Sequence, residues 1–320
     1  MDSIGTPLLW CGFAAFVLLA LSVDLGLLRK KGPHTVGMRE AVGWSAAWVA
    51  LALLFNAALW WWLAQRMPVA EANRVASEFL TGYVVEKSLA VDNIFVFLLL
   101  FNYFQVPAPS QARVLSYGVL GAIVLRGVLI VTGAALLARF HWLLYLFGFF
   151  LLATGAKMFW AAGQPPDLGR NPVLRWLQGH LPLAQGHHGE ALWVRQDGVR
   201  RYTPLFVVLV MIAIIDVVFA VDSIPAIFAI TTDPFVVLTS NVFAVLGLRA
   251  LYFLLAGMAG RFHLLSYGLA AVLVFIGAKM LLADWVQLPV LVSLSVVMLL
   301  IGASIAASLW LKPRPQRESA

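Results

Sequence analysis

Nine apolar runs, each near the ~20 residues that a helix needs to cross a bilayer, follow one another at about 8–28, 42–64, 78–104, 114–138, 142–162, 204–231, 235–258, 264–283 and 288–311. No water reaches the hydrocarbon to satisfy a backbone N–H or C=O, so a spanning segment bonds to itself as a helix or closes with others into a barrel. These runs are continuous rather than alternating, which selects helices. The chain is therefore predicted to be an all-α polytopic membrane protein. So little sequence separates the runs that residues 1–320 are predicted to pack as a single transmembrane domain. Composition agrees, at 62% hydrophobic and 12% charged, about half the charge of an ordinary soluble domain. The formal charge of +7 does not point to nucleic acid, because the basic residues sit in short segments between runs. One cysteine, Cys11, excludes an internal disulfide, a thiolate cluster or a CxxC redox centre. The first run follows Asp2 and no Lys or Arg, so it lacks the basic start of a cleaved signal and is predicted to stay as an anchor.

Nine crossings place the termini on opposite sides, and the basic residues choose which. Lys and Arg between runs fall at 29–31, 39, 113, 170, 175, 195, 200, 201, 261, 312, 314 and 317 on one side, against 66, 74 and 139 on the other. The first side is predicted to be cytoplasmic. The N-terminus is then periplasmic and the C-terminus cytoplasmic, and the long loop 163–203 is cytoplasmic too. Its turn-rich stretches "GQPPDLGRNP" and "QGHHGE" predict short helices or partial disorder.

The sequence repeats itself. "EKSLAVDNI" from Glu86 matches "DVVFAVDSI" from Asp216, pairing Glu86 with Asp216, Asp92 with Asp222 and Asn93 with Ser223. "RFHWLLYLFGFFLLATGAKM" from Arg139 matches "RFHLLSYGLAAVLVFIGAKM" from Arg261 without a gap, and "LRG" from Leu125 faces "LRA" from Leu248. Residues 78–162 are predicted to form repeat one, 204–283 repeat two and 288–311 a last helix. Three crossings per unit make the copies antiparallel, the inverted plan of many secondary transporters, whose substrate site lies where the repeats meet.

Seven ionisable residues fall inside the repeated runs: Glu86, Lys87, Asp92, Arg126, Asp216, Asp222 and Arg249. Each costs roughly 2.5–3.5 kcal/mol at bilayer depth, so they must face one another or a wet cavity. Lys87, Arg126 and Arg249 read as charge balance for the four acids. Six residues separate the acids within each copy, a rotation of ~600° and a rise of ~9 Å, so both cannot hold one ion unless the helix is broken. Pro225 removes a donor and crowds the carbonyl of Val221, which suggests such a break. Otherwise Asp92 and Asp222 form the central site, with Glu86 and Asp216 as the approach or a second site. Oxygen donors without nearby sulfur suit Mg²⁺, Ca²⁺ or Mn²⁺. Asn93 and Ser223 fit as secondary ligands or as interhelical hydrogen bonds, and Asn241 is a further candidate.

Other signals read as structural. Asp24 lies near the basic "RKK" and reads as interfacial, and Lys157 and Lys279 of the two "GAKM" copies read as snorkelling side chains. His187, His188 and Glu190 read as a solvated loop cluster, and Trp60, Trp61 and Trp62 as part of an aromatic belt.

Taken together, "FLTGYVVEKSLAVDNIFVFLLLFNYF", "RVLSYGVLGAIVLRG", "FAVDSIPAIFAITTDPFVVLTSNVFAVLGLRALYFLLAG" and "GAKM" resemble the TerC family of bacterial membrane proteins over nearly the whole chain. The resemblance is strongest to a branch regarded as inner-membrane manganese exporters linked to alkaline pH. It implies Mn²⁺ export from the cytoplasm as transported substrate, with no tightly bound cofactor, and matches Glu86, Asp92, Asp216 and Asp222 to the family's acidic positions. Relatives usually carry a glutamate three residues before Asp216 and a serine immediately before it, where this chain has Ala213 and Ile215; that departure implies weaker metal binding. The competing reading is a membrane scaffold or insertion factor associated with tellurium resistance, working through the long loop. A protease is disfavoured because the aspartates follow "SLAV" and "VFAV" rather than GxG. With no P-loop, energy would come from ion gradients, with protons exchanged through the same carboxylates.

Overall fold

Apolar sequence and proline placement together set the helices. In the computed structural model, residues 3–31, 37–140, 142–161, 172–184, 189, 191–196, 199–257, 264–282, 285 and 288–311 are described. They form α1 (Pro7–Lys31), α2 (Met38–Ala64), α3 (Val69–Tyr103), α4 (Ala108–Arg139), α5 (Leu143–Ala161), α6 (Pro172–His180), β1 (Trp193–Gln196), β2 (Val199–Tyr202), α7 (Pro204–Phe228), α8 (Pro234–Leu246), α9 (Leu248–Ala256), α10 (Leu265–Leu281) and α11 (Val290–Trp310). A helix lies over every predicted run. By length and apolarity, five of the described helices suffice to cross a membrane, or six if α8 and α9 are one span. α1 offers a shorter apolar stretch and α10 is itself short. α3 is long enough at 35 residues but carries Glu71, Arg74, Glu78, Glu86, Lys87 and Asp92.

Three boundaries differ from the apolar pattern for physical reasons. α3 and α4 begin well before their apolar runs because Pro68 and Pro107 occupy their N-caps, where the missing N–H costs nothing and the fixed φ starts the helix. The run 235–258 is split at Gly247, where α8 and α9 bend by 42°. Pro225 does not break α7 at the aspartate: the helix continues through it to Phe228, held by buried Ile224, Ala226 and Ile227. In the loop, α6 buries Leu174 and Leu177, and β1 pairs antiparallel with β2, a hairpin the turn-rich reading missed. Trp60 Nε1 donates to Asn73 Oδ1 at 2.7 Å, and Arg66 lies 4.0 Å over the Trp62 ring, as suits an interfacial belt.

α8 is the central element. Phe235, Val236, Val237 and Thr239 through Leu246 are all buried. Phe243 gathers Phe16 of α1, Phe55 of α2 and Phe79 of α3, with ring centroids 5.2, 4.8 and 6.0 Å away. At its start, Asp233 accepts from Phe235 N at 2.8 Å and Val236 N at 3.3 Å, a carboxylate cap. The same carboxylate accepts from Ile4 N at 2.7 Å and Ser3 Oγ at 3.0 Å, which pins the start of the chain against α8.

Contacts between the two repeated segments are exchanged. α3 packs on α8 and α4 on α7, while α5 lies against α10, α3 against α7 and α4 against α8. The α5–α10 seam is the tightest. A Cβ on Gly155 would lie 2.9 Å from Ala270 O and 3.0 Å from Val274 N, and one on Gly277 would lie 2.8 Å from Gly148 O and 2.9 Å from Leu152 N. These are the glycines of the two "GAKM" copies, and they touch equivalent positions of each other's helix, running antiparallel. Without a hydrophobic drive between helices, close backbone approach at small residues holds such a seam. Gly277→Leu is expected to destabilise the detergent-solubilised protein by about 1–3 kcal/mol or more, whereas Gly12→Ala, which meets open space, leaves thermal unfolding unchanged.

Candidate cation site

The buried face of α4 runs through Ala112, Ser116, Val119, Ala122, Arg126, Ile130 and Ala134, and puts one arginine in an otherwise apolar stripe. Arg126 is 1% exposed. Its Nη2 donates to Asp216 Oδ1 of α7 at 3.0 Å and its Nε faces Oδ2 at 3.5 Å. Its Nη1 donates to Glu86 Oε1 of α3 and to Asn241 Oδ1 of α8 at 3.2 Å. Glu86 is fully buried and Asp216 nearly so. Four helices thus meet on one guanidinium, whose planar fork suits two carboxylates at once.

The cluster is not closed. Two carboxylates share the one guanidinium. Among the described residues, Glu86 Oε2, Ser223 Oγ and Asn241 Nδ2 are buried with no hydrogen-bond partner. Buried polar atoms are nearly always satisfied, so the orphans on Glu86 and Asn241, both held by Arg126, mark a place with room for something further, and Ser223 follows Asp216 by about two turns of α7. The two oxygens are hard donors of the kind divalent cations take.

Lys87, next in sequence to Glu86, points elsewhere. Its Nζ donates to Ala244 O at 3.0 Å and packs against Gly247, where a Cβ would come within 2.7 Å of it. A cation at the C-terminal carbonyls of α8 is favourable, and among the described residues that helix end is what Lys87 Nζ bonds to. Arg249 Nη1 faces Ser116 Oγ of α4 at 3.5 Å. Asn241, the weaker candidate from sequence, is in direct contact with the arginine. Asn93 is buried.

The side chains of Asp92 and Asp222 lie outside the described residues, as do His187, His188 and Glu190 and the side chain of Asp24. Backbone register still constrains the two aspartates. A Cβ on Gly82 would lie 3.6 Å from Ile227, and α3 and α7 run antiparallel, with Phe104 at the end of one beside Pro204 at the start of the other. That register sets position 222 level with Glu86 and position 92 level with Asp216, to within about one turn. The expected division into two central aspartates and two approach acids turns on those two side chains and so lies outside the described residues. Among the described residues no three acids, histidines or cysteines group closely enough to hold a metal unaided.

Ala213 is exposed on α7, whereas Asp216 is buried. A glutamate there would begin outside the cluster, so the inference of a lost ligand at Ala213 does not fit this geometry; Ile215 is partly buried among apolar neighbours. The sequence reading also missed Glu78, which is buried at 5% exposure and accepts from Arg74 Nη1 at 2.8 Å and from the Thr231 hydroxyl. Lys279 of α10 lies within its electrostatic reach, and Lys157 is exposed on the protein surface. Glu78 precedes Glu86 by eight residues, ~12 Å along α3.

A profile described as "Integral membrane protein TerC family" matches residues 71–316. The chain is 54% identical over 318 residues to a protein of Escherichia coli (strain K12) named "Putative membrane-bound redox modulator Alx", covering 99% of each. It is 54% identical to a protein of the same name from Salmonella typhi, covering 97% of this chain and 96% of the relative. It is also 47% identical to an uncharacterized membrane protein of Myxococcus xanthus, covering 96% and 93%. No solved structure matches. Fold, buried charges and sequence agree, and the chain belongs to the TerC family of integral membrane proteins.

Proposed function

We propose that the chain is a transporter of divalent cations, most concretely an exporter of Mn²⁺ from the cytoplasm across the inner membrane. The observation that carries this reading is the open cluster: Glu86 Oε2 is buried and unpartnered among the described residues, beside a guanidinium that holds two carboxylates on separate helices, and Ser223 Oγ, about two turns beyond Asp216 on α7, is buried and unpartnered too. The ion is the substrate. Glu86 and Asp216 would face it with Ser223, and Asp92 and Asp222 would contribute from the adjoining levels. Arg126 keeps the acids apart from one another and limits how tightly the cation is held, as a site that must release its cargo requires.

The exchanged contacts of α3 with α8 and α4 with α7 support an inverted repeat whose two-fold axis lies in the membrane plane. The α8–α9 bend at Gly247 supports a broken helix near the site, both being habits of secondary transporters. The basic face, with the loop 163–203, would be cytoplasmic. Redox modulation is said of the named relatives; with Cys11 its single cysteine, this chain has no intrachain dithiol, and a cation path is what the buried charges favour.

The reading is tested by Mn²⁺ flux into proteoliposomes. Glu86→Gln and Asp216→Asn are each expected to lower flux at least about tenfold while the protein still folds, and wild-type flux in both would sink the proposal. Because a carboxylate must be deprotonated to take metal, flux is expected to rise with pH on the side from which the ion enters, and a pH-independent rate would remove protons from the scheme. Arg126→Leu leaves two buried carboxylates without their cation and is expected to cost about 3–5 kcal/mol of stability, read as a lowered melting temperature. Ala213→Glu is expected to leave flux unchanged, since the position starts outside the cluster.

A further inference from the structure

On the outer side of α4, away from the cluster, the residues exposed along one stripe are Arg113, Tyr117, Leu120, Gly121, Val124 and Val128. From Tyr117 to Leu129 they form, with Leu209 and Val217 of α7 and Leu192 of the loop, a groove of about 820 Å³ walled almost wholly by carbon. Ala213, which is exposed, lies on the same α7 stripe, four residues from each of Leu209 and Val217. The groove runs ~18 Å along α4, a little more than the ~15 Å depth of one leaflet's hydrocarbon.

Its upper end changes character. Tyr117 and Leu192 also belong to a second cavity of about 390 Å³ lined by Arg113, Ala191 and Trp193, so the two spaces are continuous. Arg113 lies 5.9 Å over the Tyr117 ring, and Arg200 lies 4.0 Å over the Trp193 ring. The β1–β2 ladder sets Arg195 directly opposite Arg200, so basic residues collect on this hairpin. An apolar slot at chain depth, ending at an arginine and aromatic mouth on the basic face of the protein, has the chemistry of a lipid with a negative headgroup.

We propose that this groove is a specific binding site for one anionic phospholipid, its acyl chain in the α4–α7 slot and its phosphate at Arg113 and Arg200. The hairpin then has a definite task, to carry Trp193 and Arg200 over the end of α4. Occupancy ties the loop to α4 and α7, the two helices that hold Arg126 and Asp216.

The full chain, purified in detergent with equal amounts of phosphatidylglycerol and phosphatidylethanolamine, is examined by native mass spectrometry. The wild type is expected to retain phosphatidylglycerol in preference. Arg113→Ala and Arg200→Ala are each expected to lower that preference about fivefold, and Arg113→Lys to keep most of it. Gly121 meets open space, so Gly121→Trp fills the slot without disturbing the bundle and is expected to lower retention of the diacyl lipid. Equal retention of the two lipids by the wild type, an unchanged ratio in the double alanine variant, or unchanged retention in Gly121→Trp would each overturn the proposal. So would displacement of the lipid by excess glycerol phosphate, which would assign the mouth to a free phosphate compound.

Discussion

A guanidinium removed from water between two carboxylates decides which helices of this protein must meet. Taking such charges out of water costs several kcal/mol per ion, recovered only when the geometry is good and the remaining donors are satisfied. Arg126 of α4 reaches that geometry only with Glu86 of α3, Asp216 of α7 and Asn241 of α8 all in place. A bundle of apolar helices in lipid has little to choose between rotations of a given helix, because one apolar face packs about as well as another. The ion pairs remove that freedom by penalising every rotation that strands a charge. The small-residue seam of Gly155 and Gly277 then needs only to hold α5 and α10 against a frame already specified.

The apolar runs were readable because hydrocarbon imposes one rule on every backbone group, and the rule does not depend on neighbours. Helix starts were less readable. Pro68 and Pro107 lie in polar sequence, so α3 and α4 begin outside the apolar signal. The hairpin left one trace, the Asp-Gly dipeptide at 197–198, a strong turn signal that the loop's general polarity obscured. The acids were legible as a set because the repeat put Glu86 with Asp216. Their grouping was not, since spacing along one helix gives azimuth and rise but says nothing of the register against another. Nothing in the triplet "LRG" says that Arg126 forks between Glu86 and Asp216. Glu78 was passed over for want of a counterpart in the second repeat, where Val208 stands eight residues before Asp216.

The faces of α4 and α7 divide the labour between interior and lipid. Inward they carry Arg126 and Asp216, and outward they carry Val124, Val128 and Val218, all well exposed. In a soluble protein such an outer face would be a liability; here the bilayer is its solvent. What needs explaining at that surface is therefore polarity, as at Arg113 and Trp193, and not the apolar residues that surround them.

Glu86 and Lys87 are consecutive on α3 but grip different parts of the molecule. Glu86 holds the arginine of α4, and Lys87 holds the last carbonyls of α8 at its junction with α9. About 100° of azimuth separates neighbouring residues on a helix, so α3 acts as a crank between them. A small turn of α3 about its axis cannot loosen the carboxylate without also dragging the ammonium across Gly247. Whatever alters the charge held at Glu86 is thereby felt as torque at the elbow of α8 and α9, through one rigid peptide unit and with no intervening side chain.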